Sequence, residues 1–184
     1  VVLVRRWGGY WAAVFAVLLS PPMYHLMYNS NIDWAVLPGL ILGGGWSVPL
    51  LAIKPQVAAL AAVVFWQRAR WRWQFWIPTA VVGVGSLLVW GLWPLAIETD
   101  PAIGVVNESI FPWGVPIGLL AVVLMLRYKS VRWAVTATIM LMPYWRVSSL
   151  LALVAVWAVK YPRVALVLVA LFWGLSAGLV VAFR

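Results

Sequence analysis

WSVPLLAIKPQVAALAAVVFW, residues 46–66, is an apolar run with one cation, one proline and one amide in its middle. Pro49 to Ile53, before Lys54, are all apolar, and so is the whole of Val57 to Trp66. A lysine so placed is expensive in lipid unless it reaches water, a carboxylate or a phosphate. Pro55 removes a backbone donor and disfavours helix at Lys54. The run therefore reads as two short helices meeting at a break, which gathers freed carbonyls, an ammonium and the Gln56 amide. Non-helical backbone at membrane depth is tolerated where protein or a water-filled cavity surrounds it. The plainer reading is that Lys54 snorkels from a helix end.

Composition sets the class. The 184 residues are 66% hydrophobic and 9% charged, with a mean hydropathy of +1.01, against about 25% charged in soluble domains. The expectation is an all-α, polytopic transmembrane helix bundle of roughly six to nine mostly short spans, with a proline-broken helix pair at 46–66. Residues 1–184 read as one transmembrane domain. The start, VVLVRR, has no basic region before its apolar one and no small-residue cleavage site, so it is no secretory signal. It reads as the tail of an earlier helix, which makes the chain a fragment of a longer one. With no cysteine and one histidine, a zinc or haem site is not expected.

Segments alternate with turns along the chain. Tyr10 to Ser20 is apolar, and PPMYHLMYNSN (21–31) reads as a polar-aromatic loop. Ile32 to Leu42 is apolar and ends at Gly43-Gly44-Gly45. After the broken pair come a basic loop, a long span at Trp73 to Trp93, and the longest loop, Pro94 to Pro112. Further apolar segments start at Trp113, Trp133, Val147 and Val164. Crossing at each segment puts Arg5, Arg6, Arg68, Arg70, Arg72, Arg127, Lys129, Arg132, Lys160 and Arg163 on one side, ten of the thirteen cations. All four acids, Asp33, Glu98, Asp100 and Glu108, fall on the other. That bias is the positive-inside pattern and makes the basic loops cytoplasmic, in an expected bacterial cytoplasmic membrane. Trp66, Trp71, Trp73 and Trp76 would gather at the inner interface, and Trp90, Trp93 and Trp113 at the outer one. The net charge of +9 is thus explained by topology, and RARWRWQFW reads as an interface anchor; no nucleic-acid partner is expected. Gly83-x-Gly85 and Gly174-x-x-x-Gly178 suit close helix contacts.

Lys54 and Arg146 are the informative exceptions. Both lie on the acidic side, each at a proline-marked break, with Asp33, Asn31 and His25 on the same side. Asp33 has a plain reading as a first-turn acid with Asn31 as the cap, and His25 as an ordinary loop histidine. Together, two cations, an acid and an amide on one face suit an anionic lipid headgroup. Cations neutralise phosphate, and an acid can take a proton from an incoming hydroxyl.

The stretch SPPMYHLMYNSNIDWAVLPGLIL, a short gap, then WSVPLLAIKPQVAALAAVVFW and a basic turn resemble polyprenyl-phosphate-mannose-dependent glycosyltransferases of the GT-C superfamily. The matching positions are Ser20-Pro21, Ser30-Asn31-Ile32-Asp33 and Lys54-Pro55-Gln56, within residues 18–73. The resemblance implies transfer of a hexose, mannose by preference, from a polyprenyl-phosphate carrier on the extracytoplasmic face, with no further cofactor. Lys54 would hold the carrier phosphate and Gln56 would hydrogen-bond phosphate or sugar. Topology adds Arg146 as a second phosphate contact, with Asn31 and His25 as further substrate-binding candidates. The family's catalytic acid lies in a large extracytoplasmic loop that this chain lacks at its start. Asp33 and the 94–112 loop acids, Glu98, Asp100 and Glu108, are the candidates for that role, and Asp33 is the one within the matched region.

Two other classes compete. One is a non-catalytic scaffold subunit of a larger membrane complex, binding lipid or pigment. The other is a small transporter using Lys54 and Asp33 as an intramembrane pair. A transferase needs Lys54, Gln56 and an acid facing one another in an outward cavity. A scaffold needs them paired away, and a transporter needs a path to the other face.

Overall fold

Prolines and glycines cut the chain into short helices, and each cut falls where the backbone tolerates it. A computed structural model describes residues 1–92 and 107–182. Every regular element among them is helical. The α-helices are α1 Val2–Arg6, α2 Trp11–Leu18, α3 Pro21–Tyr28, α4 Val36–Leu42, α5 Ser47–Ala52, α6 Pro55–Ala58, α7 Ala61–Arg68, α8 Ile77–Trp90, α9 Val115–Tyr128, α10 Val131–Leu141, α11 Leu151–Ala158 and α12 Pro162–Ala182. Turns of 3-10 helix at Ile32–Ala35, Trp73–Trp76 and Val147–Leu150 lead directly into α4, α8 and α11. One helical stretch, Trp73–Trp90, is long and apolar enough to cross a membrane by itself.

Two expectations are corrected. Residues 21–28, read as loop, form α3. Pro21 and Pro22 occupy its first turn, where the missing N–H has no intrahelical acceptor to lose, and Pro22 and Leu26 supply a buried face. The second arm of the broken pair is itself divided, because α6 stops at Ala58 and α7 starts at Ala61. The Leu60 N–H goes instead to the Thr138 hydroxyl of α10, at 3.1 Å. The break at Lys54 is as expected: Lys54 is non-helical, with φ −144° and ψ 78°.

The core is apolar and shared by most elements. Val14, Val36, Leu40, Val64, Ile139 and Val156 are among its fully buried side chains. α9 and α10 form a tight antiparallel hairpin about Lys129, which takes the left-handed conformation at φ 48°. Their backbones approach closely at Gly118, where an added Cβ would lie 2.7 Å from Leu141 Cγ. α8 meets α5 but has no residue buried. The expected glycine contacts there and in α12 are absent: a Cβ at Gly83, Gly85 or Gly174 meets nothing within 4 Å. The packing of Gly178, and Trp93, Glu98, Asp100 and Arg184, lie outside the described residues.

The sorting of charge along the sequence reappears as two ends of one bundle. α10 runs from the Lys129–Arg132 turn to Met142, and α11 returns to Lys160. At the first end Arg68, Lys129, Arg132 and Lys160 line one cavity of about 370 Å³. At the second end lie Asp33, Lys54, Arg146 and Glu108. Trp66 packs edge-on against Trp71 and Trp76, with ring centroids 4.6 and 5.4 Å away, while Trp73, the fourth tryptophan expected with them, is 69% exposed.

The glycines give a paired prediction. Gly118→Ala should lower the thermal midpoint, since overpacking costs about 1–3 kcal/mol. Gly83→Ala should leave it unchanged or raise it, by up to about 1 kcal/mol of helix propensity. Thermal unfolding followed by circular dichroism checks the order.

Candidate functional site: a polar cluster around Lys54

Three irregular points in the backbone build the site. The first is the Lys54 break, where Pro55 opens α6 and Lys54 leaves the helical path. The second is the turn before α4. Ser30 adopts φ 49°, and the chain re-enters helix as the 3-10 turn that carries Asp33. The third is the 3-10 turn Val147–Leu150, which carries Ser148 and Ser149 into the interior. Each is a place where a polar side chain leaves the backbone between helices.

The side chains form a continuous chain of contacts. Lys54 Nζ pairs with Asp33 Oδ1 and donates to Asn31 Oδ1 at 2.7 Å. Asn31 Nδ2 donates to Ser148 Oγ at 2.8 Å. Ser149 Oγ donates to Asp33 Oδ2 at 3.2 Å. The carboxylate is closed off at 1% exposure, while the lysine side chain keeps 14%. Among the described residues the ammonium is the sole partner of Asp33 Oδ1. Removing two charges from water is costly, and their attraction offsets it only with good geometry and further hydrogen bonds. Here Asn31 accepts from Lys54 and Ser149 donates to Asp33, while Ser148 holds the Asn31 amide.

The other expected residues are at the same end but outside this chain of contacts. Gln56 is half-buried in the first turn of α6, and its amide makes no bond to the cluster. Arg146 is half-buried immediately before the serine turn, and its carbonyl accepts the Ser149 N–H at 2.8 Å. His25, on α3, is half-buried with its ring edge-on to Tyr24 at 5.9 Å. Its carbonyl accepts the Asn29 side-chain amide. Asn31 does not cap with its side chain, as expected for a helix start; the amide is used in the cluster.

Asp33, the expected proton acceptor, is buried with one oxygen on Lys54 and the other on Ser149. Ser148 and Ser149 were not singled out by sequence. Their one signal is a polar pair at the head of the otherwise apolar run 147–159, directly after Arg146.

A second feature went unread. Residues 107–109 clamp the segment between α10 and α11. Asn107 Nδ2 donates to Pro143 O at 2.7 Å, Ser109 Oγ to Met142 O at 2.6 Å, and the Glu108 carboxylate accepts the Val147 N–H. With Glu108 so placed, this end has two cations and two acids among the described residues, a formal sum of zero.

An apolar groove of about 480 Å³ begins at Val147, the residue after Arg146. Its wall is one face of α11 and the turn before it, with Val147, Leu150, Val154 and Trp157 in succession. Leu168 and Phe172 of α12 line the opposite side, and Ser20 to Pro22 close the end nearest the cluster. No metal-binding group of His, Asp and Glu occurs among the described residues. No family model, curated protein or solved structure matches the chain.

The ion pair predicts a non-additive double-mutant cycle. Lys54→Met alone leaves Asp33 buried and unpaired and should cost about 3–5 kcal/mol. Lys54→Met with Asp33→Leu should recover most of that loss. Unfolding midpoints of the four proteins measure the coupling, and additive losses would mean that the pair contributes nothing.

Proposed function

We propose that this chain is a polytopic membrane helix bundle of the GT-C type that binds a polyprenyl-phosphate sugar and serves hexose transfer, mannose by the resemblance, on the extracytoplasmic side. The membrane part of the reading is supported by α8, which is apolar on every face yet has no buried residue. Leu88, Val89 and Trp90 are 82, 70 and 70% exposed. A helix that is hydrophobic all round needs an apolar surrounding. The two cationic exceptions lie at the end opposite the basic cavity, in keeping with a cytoplasmic basic end.

The observation that carries the functional reading is the meeting of Lys54 with Asn31 and Asp33. These are the two separated halves of the sequence resemblance, brought into direct contact. The apolar groove that starts at Val147, the residue after Arg146, adds a place for an isoprenyl chain. In this reading the chain lies along α11, the phosphate meets Arg146 and the exposed part of Lys54, and Gln56 is close enough in sequence to bond phosphate or sugar. Asp33 and Asn31 hold Lys54 in place.

One observation favours a second reading, a non-catalytic lipid-binding subunit of a larger membrane complex. Lys54 is already neutralised by Asp33, which is how a purely structural pair would look. The transporter reading has no such support. Val57, Val64, Val135 and Ile139 fill the interior between the two ends and are fully buried.

Binding and turnover separate the readings. The chain in nanodiscs is titrated with a short polyprenyl phosphate and with the matching polyprenol. The transferase reading expects preference for the phosphate, weakened about tenfold by Arg146→Gln, as for loss of one charged hydrogen bond. It also expects release of labelled hexose from the carrier. Binding without release supports the lipid-binding subunit, and equal affinity for the polyprenol removes the phosphate site altogether.

A further inference from the structure

The basic end of the bundle is built differently from the Lys54 end. Among the described residues its cations are held without carboxylates. Arg68 donates twice to the Lys129 carbonyl, from Nε at 3.2 Å and Nη2 at 2.8 Å. Arg132 lies 6.0 Å from the Trp157 ring centroid, and Lys160 lies 5.3 Å from that of Tyr161. Carbonyls and ring faces orient these groups but leave their positive charge uncancelled. The described acids, Asp33 and Glu108, are both at the other end.

The cations surround a concavity. Arg68, Lys129, Arg132 and Lys160 line the cavity of about 370 Å³ together with Tyr128, Ser130 and Trp133. A second cavity, of about 270 Å³, shares Arg68, Ser130 and Arg132 with it and reaches Trp7. Into both projects the start of α10, an eleven-residue helix whose N-cap residue, Ser130, makes no side-chain capping bond. The first N–H groups of a helix have no partner within it and carry partial positive charge. Four side-chain cations and an uncapped helix start thus face one polar hollow. Like charges held this close repel one another unless an anion sits between them.

We infer that this hollow is a second binding site, separate from the Lys54 cluster, that takes the phosphate of an anionic phospholipid. Arg68 and Arg132 supply planar forks suited to phosphate oxygens. Lys129 and Lys160 add point charges, and the α10 start adds backbone donors of the kind that bind anions. Trp7, Tyr128 and Trp133 border the hollow, and such rings settle at the level of lipid headgroups. That is what selects a lipid phosphate over a soluble one. The inference rests on the membrane reading above but not on the transferase reading.

The test uses the whole chain, delipidated in mild detergent and titrated with a phosphatidylglycerol, a phosphatidylcholine and inorganic phosphate, with bound species counted by native mass spectrometry. Phosphatidylglycerol should bind in preference, and less tightly as salt is raised. Each cation near a lipid phosphate contributes about fivefold, so Arg68→Gln with Arg132→Gln should weaken binding about 25-fold. Lys160→Gln changes an exposed side chain, so it tests the site without risk to folding, and should weaken binding about fivefold. Arg6→Gln with Arg163→Gln removes equal charge outside the hollow and should do less. Equal losses from the two double variants, or no preference for phosphatidylglycerol, overturn the site. Inorganic phosphate binding as tightly as the lipid overturns the lipid assignment. Extraction of the chain from membranes by alkaline carbonate would instead refute the membrane reading itself.

Discussion

A charge taken out of water must find its opposite nearby, and the Lys54–Asp33 pair meets that requirement for this bundle. Asp33 is closed off and Lys54 nearly so, which places the pair where an unpaired ion would be prohibitive. The requirement reaches beyond two residues. Lys54 is available because Pro55 breaks the helix. Asp33 is available because the chain re-enters helix through a 3-10 turn. Ser148 and Ser149 complete the set from the head of α11. Three distant segments are held in one register by a single electrostatic need.

The two ends of the bundle solve the same problem in opposite ways. Among the described residues, cations and acids balance at the Lys54 end. At the Arg68 end, carbonyls and aromatic faces position the cations, with no described carboxylate beside them. Balanced charge specifies structure, whereas unbalanced charge in a hollow attracts an anion. The apolar groove along α11 joins the first end to the body of the bundle. In the proposed membrane setting, lipid chains and lipid phosphates are the molecules with the chemistry to match both features.

The short helices follow the same economy of backbone groups. α6 and α7 are separated by two residues, and the amide freed there, that of Leu60, is taken up by Thr138. A polar side chain on a neighbouring helix thus permits a break that an apolar surrounding would forbid. Gly118 does the complementary work, letting α9 and α10 approach until Leu141 fills the space of a missing Cβ.

The break at Lys54, the helical class and the division of charge into two groups were legible in the sequence, because proline chemistry, apolar content and charge spacing are local properties. Trp66, Trp71 and Trp76 were legible as a cluster for the same reason. α3 was not: Pro21 and Pro22 mark a loop or a helix start equally well, and only the burial of Pro22 and Leu26 decides for helix. The glycines of α8 looked like packing positions, yet spacing says nothing of whether a neighbour is present. Lys54 was marked as an ion needing a partner, and Lys54 with Asp33 was named as an intramembrane pair only within the transporter reading. That the two do meet, with Ser149 taking the second carboxylate oxygen, was decided by tertiary structure. Pairing depends on which turns are brought together in space, and no local pattern around either residue carries that information.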